Sequence, residues 1–368
     1  MSDEMNTPNG GEMFPPPNVP PPENDGAAEE AARAEKEKSR KKMRKCFNSC
    51  GWSVFTLIIC WLTASFFVGT VISVFEYAGV LAYDFYDRYY MLFNELTLGI
   101  AILFAWLVLR SVPKAEFQKG KFSFGKLMSL FPIAIAMGYA GNIVSNIFIT
   151  TWNLFTGNEV TNEVSELIMG SDIWISFVFV GIVGPILEEL FFRKLLIDRL
   201  RPYGEVASVV ISASFVALFH MNFSQLLYAF GVGLILGYLY YRSGNFTLTA
   251  SLHVLFNLVM GVIPMVFYGP ILEFYDVIAN VTDESEMLSV FAEYIIPFAL
   301  YGIYALALFA LVITGIVFFC SNIKKLKLRK SEYALEKEDY RTALVKSAGM
   351  IAAVAVLLLL TVMSLFTV

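Results

Sequence analysis

The chain has 368 residues, of which 57% are hydrophobic and 16% charged, with a formal net charge of -5 and a mean hydropathy of +0.62. That apolar share exceeds what soluble domains carry, and several apolar runs are long enough to cross a bilayer, which excludes an ordinary soluble domain. The class is therefore an all-α polytopic transmembrane helical bundle with eight or nine membrane helices, and no nucleic-acid partner is expected. Four cysteines, Cys46, Cys50, Cys60 and Cys320, lie in or beside apolar stretches. Their scatter argues for free thiols rather than a disulfide framework.

Residues 1–45 cannot build a core. Pro15–Pro17 and Pro20–Pro22 favour extended backbone, and an Ala/Glu/Lys/Arg stretch follows. The composition predicts a disordered tail ending in a short basic helix, with no cleavable signal peptide. Arg40, Lys41, Lys42, Arg44 and Lys45 directly precede the first apolar run, and positive-inside bias puts the N-terminus in the cytoplasm. Nine apolar segments follow, near 52–76, 90–110, 127–152, 172–198, 206–222, 225–241, 246–268, 293–320 and 344–367. Acidic residues mark the connections expected outside: Asp84 and Asp87, then Glu159, Glu163 and Glu166, then Glu273 to Glu286. Basic residues mark those expected inside: Lys114 to Lys126, Arg199 and Arg201, Arg242, and Lys324 to Lys330. The alternation supports this threading.

Ionisable groups inside apolar runs are costly and mark functional sites by default. The only two histidines, His220 and His253, both lie in such runs. The fourth segment carries Glu188, Glu189 and Arg193 in the string E-E-L-F-F-R, and Asn257 follows His253 by one helical turn. Glu189 and Arg193 share a helix face and can pair, while Glu188 points about 100° away and is left for another task. His253 and Asn257 also share a face. Counting from the Pro202–Gly204 turn at about 1.5 Å per residue, Glu188 and His220 both lie roughly 22–26 Å deep, so they can meet. His253 and Asn257 lie roughly 12–20 Å from the Ser243–Gly244 turn, somewhat shallower. A structural clamp is the simpler reading of Glu189 with Arg193. Asn142 and Asn146 share a face in the third segment, where interhelical hydrogen bonding is favoured over a place in the cavity.

Glu188-Glu189-x-x-x-Arg193, then His220, then His253-x-x-x-Asn257 resembles the CPBP (Abi) family of intramembrane proteases. That family includes CAAX prenyl endopeptidases and bacteriocin-processing or immunity proteins. The resemblance runs from about Gly184 to Met260, with one departure: Val216, not Phe, stands four residues before His220, and Phe215 and Phe219 flank that position. The chain then divides into a cytoplasmic tail (1–45), N-terminal membrane helices (46–165), a CPBP-like catalytic core (166–268) and C-terminal membrane helices (269–368). By the resemblance, Glu188 and His220 would activate a water, His253 and Asn257 would stabilise the oxyanion, and Glu189 with Arg193 would support them. The substrate implied is a membrane-inserted or lipidated peptide, with membrane lipids as surroundings. No cofactor is required on this reading. The alternative is a zinc site, with Glu188, His220 and His253 as candidate ligands. A bacterial plasma membrane is the expected location. The competing functions are a non-catalytic immunity or scaffold protein and a proton-coupled transporter.

Overall fold

The structure, a computed structural model, describes residues 25–115, 120, 124–157, 160, 171–323 and 335–366. Among these residues the regular structure is entirely helical. The first three expected segments lie within α1 (Asp25–Tyr77), α2 (Phe85–Leu109) and α3 (Phe124–Thr156). The fourth is α4 (Ile173–Tyr203). The expected hairpin consists of α5 (Glu205–Phe219) and α6 (Phe223–Ser243). α7 (Phe246–Ile278) and α8 (Glu284–Asn322) follow, then the short α9 (Lys337–Val345) and α10 (Ala348–Met363).

Seven of these helices are long and apolar enough to cross a membrane, and the pair α9–α10, bent by 71°, makes an eighth. α5 accounts for the difference from nine. Its 15 residues rise only about 22 Å, short of the roughly 30 Å hydrocarbon core. It enters the bundle and stops at His220, where Met221 takes a positive φ of 51° and turns the chain into α6. The chain is an integral membrane protein. Outward rows such as Ile303, Leu306 and Phe309 on α8, or Phe66 and Phe67 on α1, are exposed, a surface suited to lipid.

The expected tail needs amendment. Its proline-rich part lies outside the described residues, and from Asp25 the chain is already helical, running without a break into the first span. Alanine, glutamate, lysine and arginine are strong helix formers, and the pairs Glu29–Arg33 and Glu37–Lys41 reinforce successive turns. This extension is also tied down. Lys36 pairs with Glu336, Arg40 with Asp339, and Arg44 Nε donates to the Lys346 carbonyl.

Connections expected on one side do meet at one end of the bundle. Ala115 N–H donates to the Asp198 carbonyl, Gly120 N–H to the Ser243 carbonyl and Tyr340 Oη to the Tyr203 carbonyl. At the other end, Asp172 N–H donates to the Arg88 carbonyl and Trp152 Nε1 to the Leu365 carbonyl. The acidic residues Glu159, Glu163 and Glu166 and the basic run 324–330 lie outside the described residues, as does the 165/166 boundary.

Two apolar clusters hold the bundle. One joins α1, α2, α4, α5 and α10 through Phe47, Ala101, Phe191, Phe215 and Leu357. The other joins α3, α6 and α7 through Ile135, Leu236 and Phe256. Gly233 lets α6 approach α5 closely: a Cβ there would stand 3.0 Å from Val216 Cγ1 and 3.2 Å from Ala213 Cα. Asn142 and Asn146 neither bridge helices nor line the site. They are exposed on α3, and Asn146 Nδ2 donates to Asn142 Oδ1 at 2.8 Å, so each covers the other's polarity.

Candidate active site

The site grows from an irregularity in α4. Proline at 185 has no N–H, so an ordinary i→i−4 bond is lost there. The backbone responds by winding wide: Ser176–Val183 and Glu189–Ile197 are π-helical, and a single α-turn, Gly184–Glu188, separates them. Such widened turns recur at functional sites. Glu188 ends the α-turn and Glu189 begins the second wide stretch. α7 behaves alike, with an α-helical part ending at Asn257 and a wide turn over Leu258–Val262.

Glu189 is fully buried, and it serves two partners rather than the one expected. Arg193 Nε lies 3.2 Å from Oε2, an ion pair whose N–H is not aimed well enough for a hydrogen bond. Oε1 lies 3.0 Å from His253 Nδ1. Arg193 is itself anchored, since Nη1 donates to Ser212 Oγ at 2.7 Å and Ser212 Oγ donates to the Phe192 carbonyl at 2.8 Å. A row therefore runs from α5 through Arg193 and Glu189 to His253. It points His253 Nε2 toward Glu188, whose Oε2 stands 3.9 Å away, beyond hydrogen-bonding distance. The carboxylate–imidazole contact orients the ring as such contacts do around metals and in catalytic triads.

His220 closes the group from the end of α5. Its ring faces the Val216 carbonyl one turn back and interacts electrostatically with both Glu188 and His253. Glu188 and His220 therefore meet as the depth count indicated, and His253, which that count placed shallower, joins them. Asn257 sits differently. Its Nδ2 donates to the Val180 carbonyl at 3.1 Å, in the first wide stretch of α4. An amide nitrogen carries two hydrogens, so this bond holds the side chain while leaving one donor. The departure at Val216 has a packing basis: Val216 lies against Gly233, while Phe219 packs on Phe192 and Trp61.

Several participants had escaped notice in the sequence. Glu95, on α2, is 9% exposed and interacts electrostatically with Glu188. The Tyr228 ring, on α6, lies edge-on to His220 at 6.3 Å, and its hydroxyl feels the Glu188 charge. Ser212 anchors Arg193. Glu95 carried a usable signal, being a carboxylate inside the second apolar run. Tyr228 and Ser212 carried none, because neutral residues of their kind are common in such helices.

The zinc alternative can be tested on the donors. A zinc site takes three or four protein ligands around one point. His253 turns Nδ1 to Glu189 and leaves Nε2 open, an orientation that a metal ligand also takes. Among the described residues, however, no group of three His, Cys, Asp or Glu is placed to hold a metal ion, so Glu188, His220 and His253 as arranged do not fit zinc, and no step below runs through a metal.

Comparison with known proteins agrees with the motifs. The family model for type II CAAX prenyl endopeptidase Rce1-like proteins matches residues 170–259. YdiL of Bacillus subtilis (strain 168), a membrane peptidase by name, is 25% identical over 173 residues, 45% of this chain and 68% of that protein. MroQ of Staphylococcus aureus (strain USA300), by name a membrane-embedded CAAX protease, is 28% identical over 137 residues, 35% of this chain and 54% of its own length. No solved structure matches. The stretch matched by the family model carries all three motifs and the widened part of α4, and over that stretch the chain is similar to the CPBP family of membrane proteases.

Proposed function

We propose that the chain is an intramembrane endopeptidase of the CAAX prenyl protease type, which hydrolyses a peptide bond in a membrane-associated or lipidated peptide without a metal. The observation that carries this reading is the oriented row Arg193–Glu189–His253, which aims an imidazole nitrogen at the carboxylate of Glu188, to which no hydrogen bond runs among the described residues. Glu188 and His220 hold a water between them. The water oxygen attacks the peptide carbonyl carbon while one of its protons passes to Glu188. The carbonyl oxygen becomes an oxyanion, bonded by an N–H at His253 Nε2 and by the second Asn257 N–H. The C–N bond then breaks, Glu188 delivers its proton to the leaving nitrogen, and the carboxylate is restored. Donors fixed in a dry cavity stabilise such a charge far better than water does. Glu189 and Arg193 never touch the substrate; they hold His253.

The test compares new peptide N-termini in membranes of cells making the native protein with those of cells making equal amounts of folded Glu188→Gln. Termini that appear only with the native protein are expected, and they identify the substrates. Identical sets, with substrate present, would sink the protease reading and leave the binding or immunity role.

We further propose a bacterial plasma-membrane location with the N-terminus in the cytoplasm, supported by the basic residues at one end of the bundle and by two bacterial relatives. In a background lacking native cysteines, Lys38→Cys and Tyr83→Cys place thiols at exposed positions beyond opposite ends of the first span. An impermeant maleimide is expected to label position 83 in intact cells and position 38 only after lysis. Labelling in the reverse order would invert the orientation.

A further inference from the structure

Glu95 is a buried carboxyl that the mechanism above leaves unused, and it stands on α2, outside the matched segment 170–259. Its Oε1 accepts from Asn94 Nδ2 at 3.1 Å, while its Oε2 is buried with no hydrogen-bond partner. Among the described residues no basic group pairs with it. The carboxyl lies directly against the site's own backbone. A Cβ added to Gly184 would stand 3.2 Å from Oε1 and 3.3 Å from Cδ. Glycine at 184 thus admits Glu95 to the α-turn that ends in Glu188, and the two carboxyls interact electrostatically.

A purely structural carboxyl at such depth would bond both oxygens or neutralise a cation; a buried acceptor left open is a standing cost that calls for a partner arriving from elsewhere. The other groups of the site define what is missing. His253 and Asn257 supply donors for a carbonyl oxygen, and Glu188 and His220 handle the water. A peptide entering an apolar site also brings backbone N–H groups, which cannot be left unbonded there. The site needs an acceptor for them.

We infer that Glu95 is a substrate-positioning residue, whose free carboxyl oxygen accepts a hydrogen bond from a backbone N–H of the peptide beside the scissile bond. This rests on the protease reading. Glu95 forms and breaks no covalent bond. It holds the peptide so that the scissile carbonyl faces the water on Glu188.

The experiment uses full-length protein in liposomes and a synthetic peptide spanning a cleavage point mapped from the native-only N-termini. Glu95→Leu removes the acceptor, and Glu95→Gln keeps an acceptor oxygen at similar size. Glu95→Leu is expected to raise KM about tenfold with kcat changed less than about threefold, the size of effect one lost hydrogen bond produces. Glu95→Gln is expected to stay within about threefold of native KM. The thermal unfolding midpoint of Glu95→Leu should equal or exceed that of the native protein, because an apolar side chain replaces an open acceptor. Unchanged KM in Glu95→Leu, equal KM losses in both variants, or a lowered unfolding midpoint would overturn the inference and leave proteolysis standing. A native protein that does not cut the peptide would overturn the protease reading, and this inference with it.

Discussion

Glu188→Gln is expected to lower peptide cleavage by about 10²–10⁴-fold, the range that a positioned acid–base group supplies, while leaving the bundle folded. The two halves of that expectation have separate grounds. In the proposed chemistry Glu188 carries the proton in both directions, from water to the leaving nitrogen, and an amide cannot do this at any pH the protein survives. Its place in the architecture is light by comparison. The side chain is 18% exposed, stands 3.9 Å from His253 Nε2 and, among the described residues, makes no ion pair with a lysine or arginine. Substitution by an isosteric neutral group also removes like-charge interaction with Glu95, so the unfolding midpoint should move little. Cleavage of the mapped peptide, followed by mass spectrometry beside a thermal melt, reads both. Near-native cleavage by the folded variant would remove Glu188 as the base and shift attention to His253.

Much of this arrangement was legible in the sequence because membrane proteins expose their costs. The described parts of the nine apolar runs are helical almost throughout, and the described connections expected on one side meet at one end of the bundle, since burying a loop charge in lipid is prohibitive. Glu188, His220 and His253 stood out for the same reason, and a count of rise per residue sufficed to bring Glu188 and His220 together, though it left His253 shallower than it lies. What stayed hidden depends on departures from ideal geometry. Pro185 is visible in the string, but its effect, two wide stretches around one α-turn, changes which way Glu189 points and gives it His253 as well as Arg193. Asn257 looked free for the substrate, yet the widened α4 leaves a carbonyl at Val180 that it must also serve. Glu95 carried the signal of a carboxylate inside an apolar run, but it lies far along the chain from the motifs and no spacing ties it to them. α5 was counted among the apolar segments because composition reports apolarity, whereas the stop at His220, which decides between eight and nine spans, is set by a turn at Met221 that composition does not announce.

Arg193→Met is expected to be the most destabilising single change in the site, by about 3–5 kcal/mol, the usual consequence of stripping one partner from a buried ion pair. Both side chains are fully buried, so water cannot replace the lost guanidinium. Ser212 Oγ would lose the guanidinium donor at the same time, and Glu189 would keep only His253. Unfolding of the purified protein in micelles measures the loss, and a shift below about 1 kcal/mol would show that the pair is dispensable. The double variant Glu189→Leu/Arg193→Met separates stability from catalysis. Replacing both charges by apolar groups of similar size is expected to recover most of the lost stability, since a buried ion pair seldom outperforms good packing. Activity should not recover with it. Without Glu189 nothing holds His253 Nδ1, the ring is free to turn, and Nε2 no longer has a fixed aim at Glu188. A stable but inactive double variant would therefore show that Glu189 acts through the orientation of His253. A stable and active one would reduce the Glu189–Arg193 pair to a clamp and break the row on which the proposed chemistry depends.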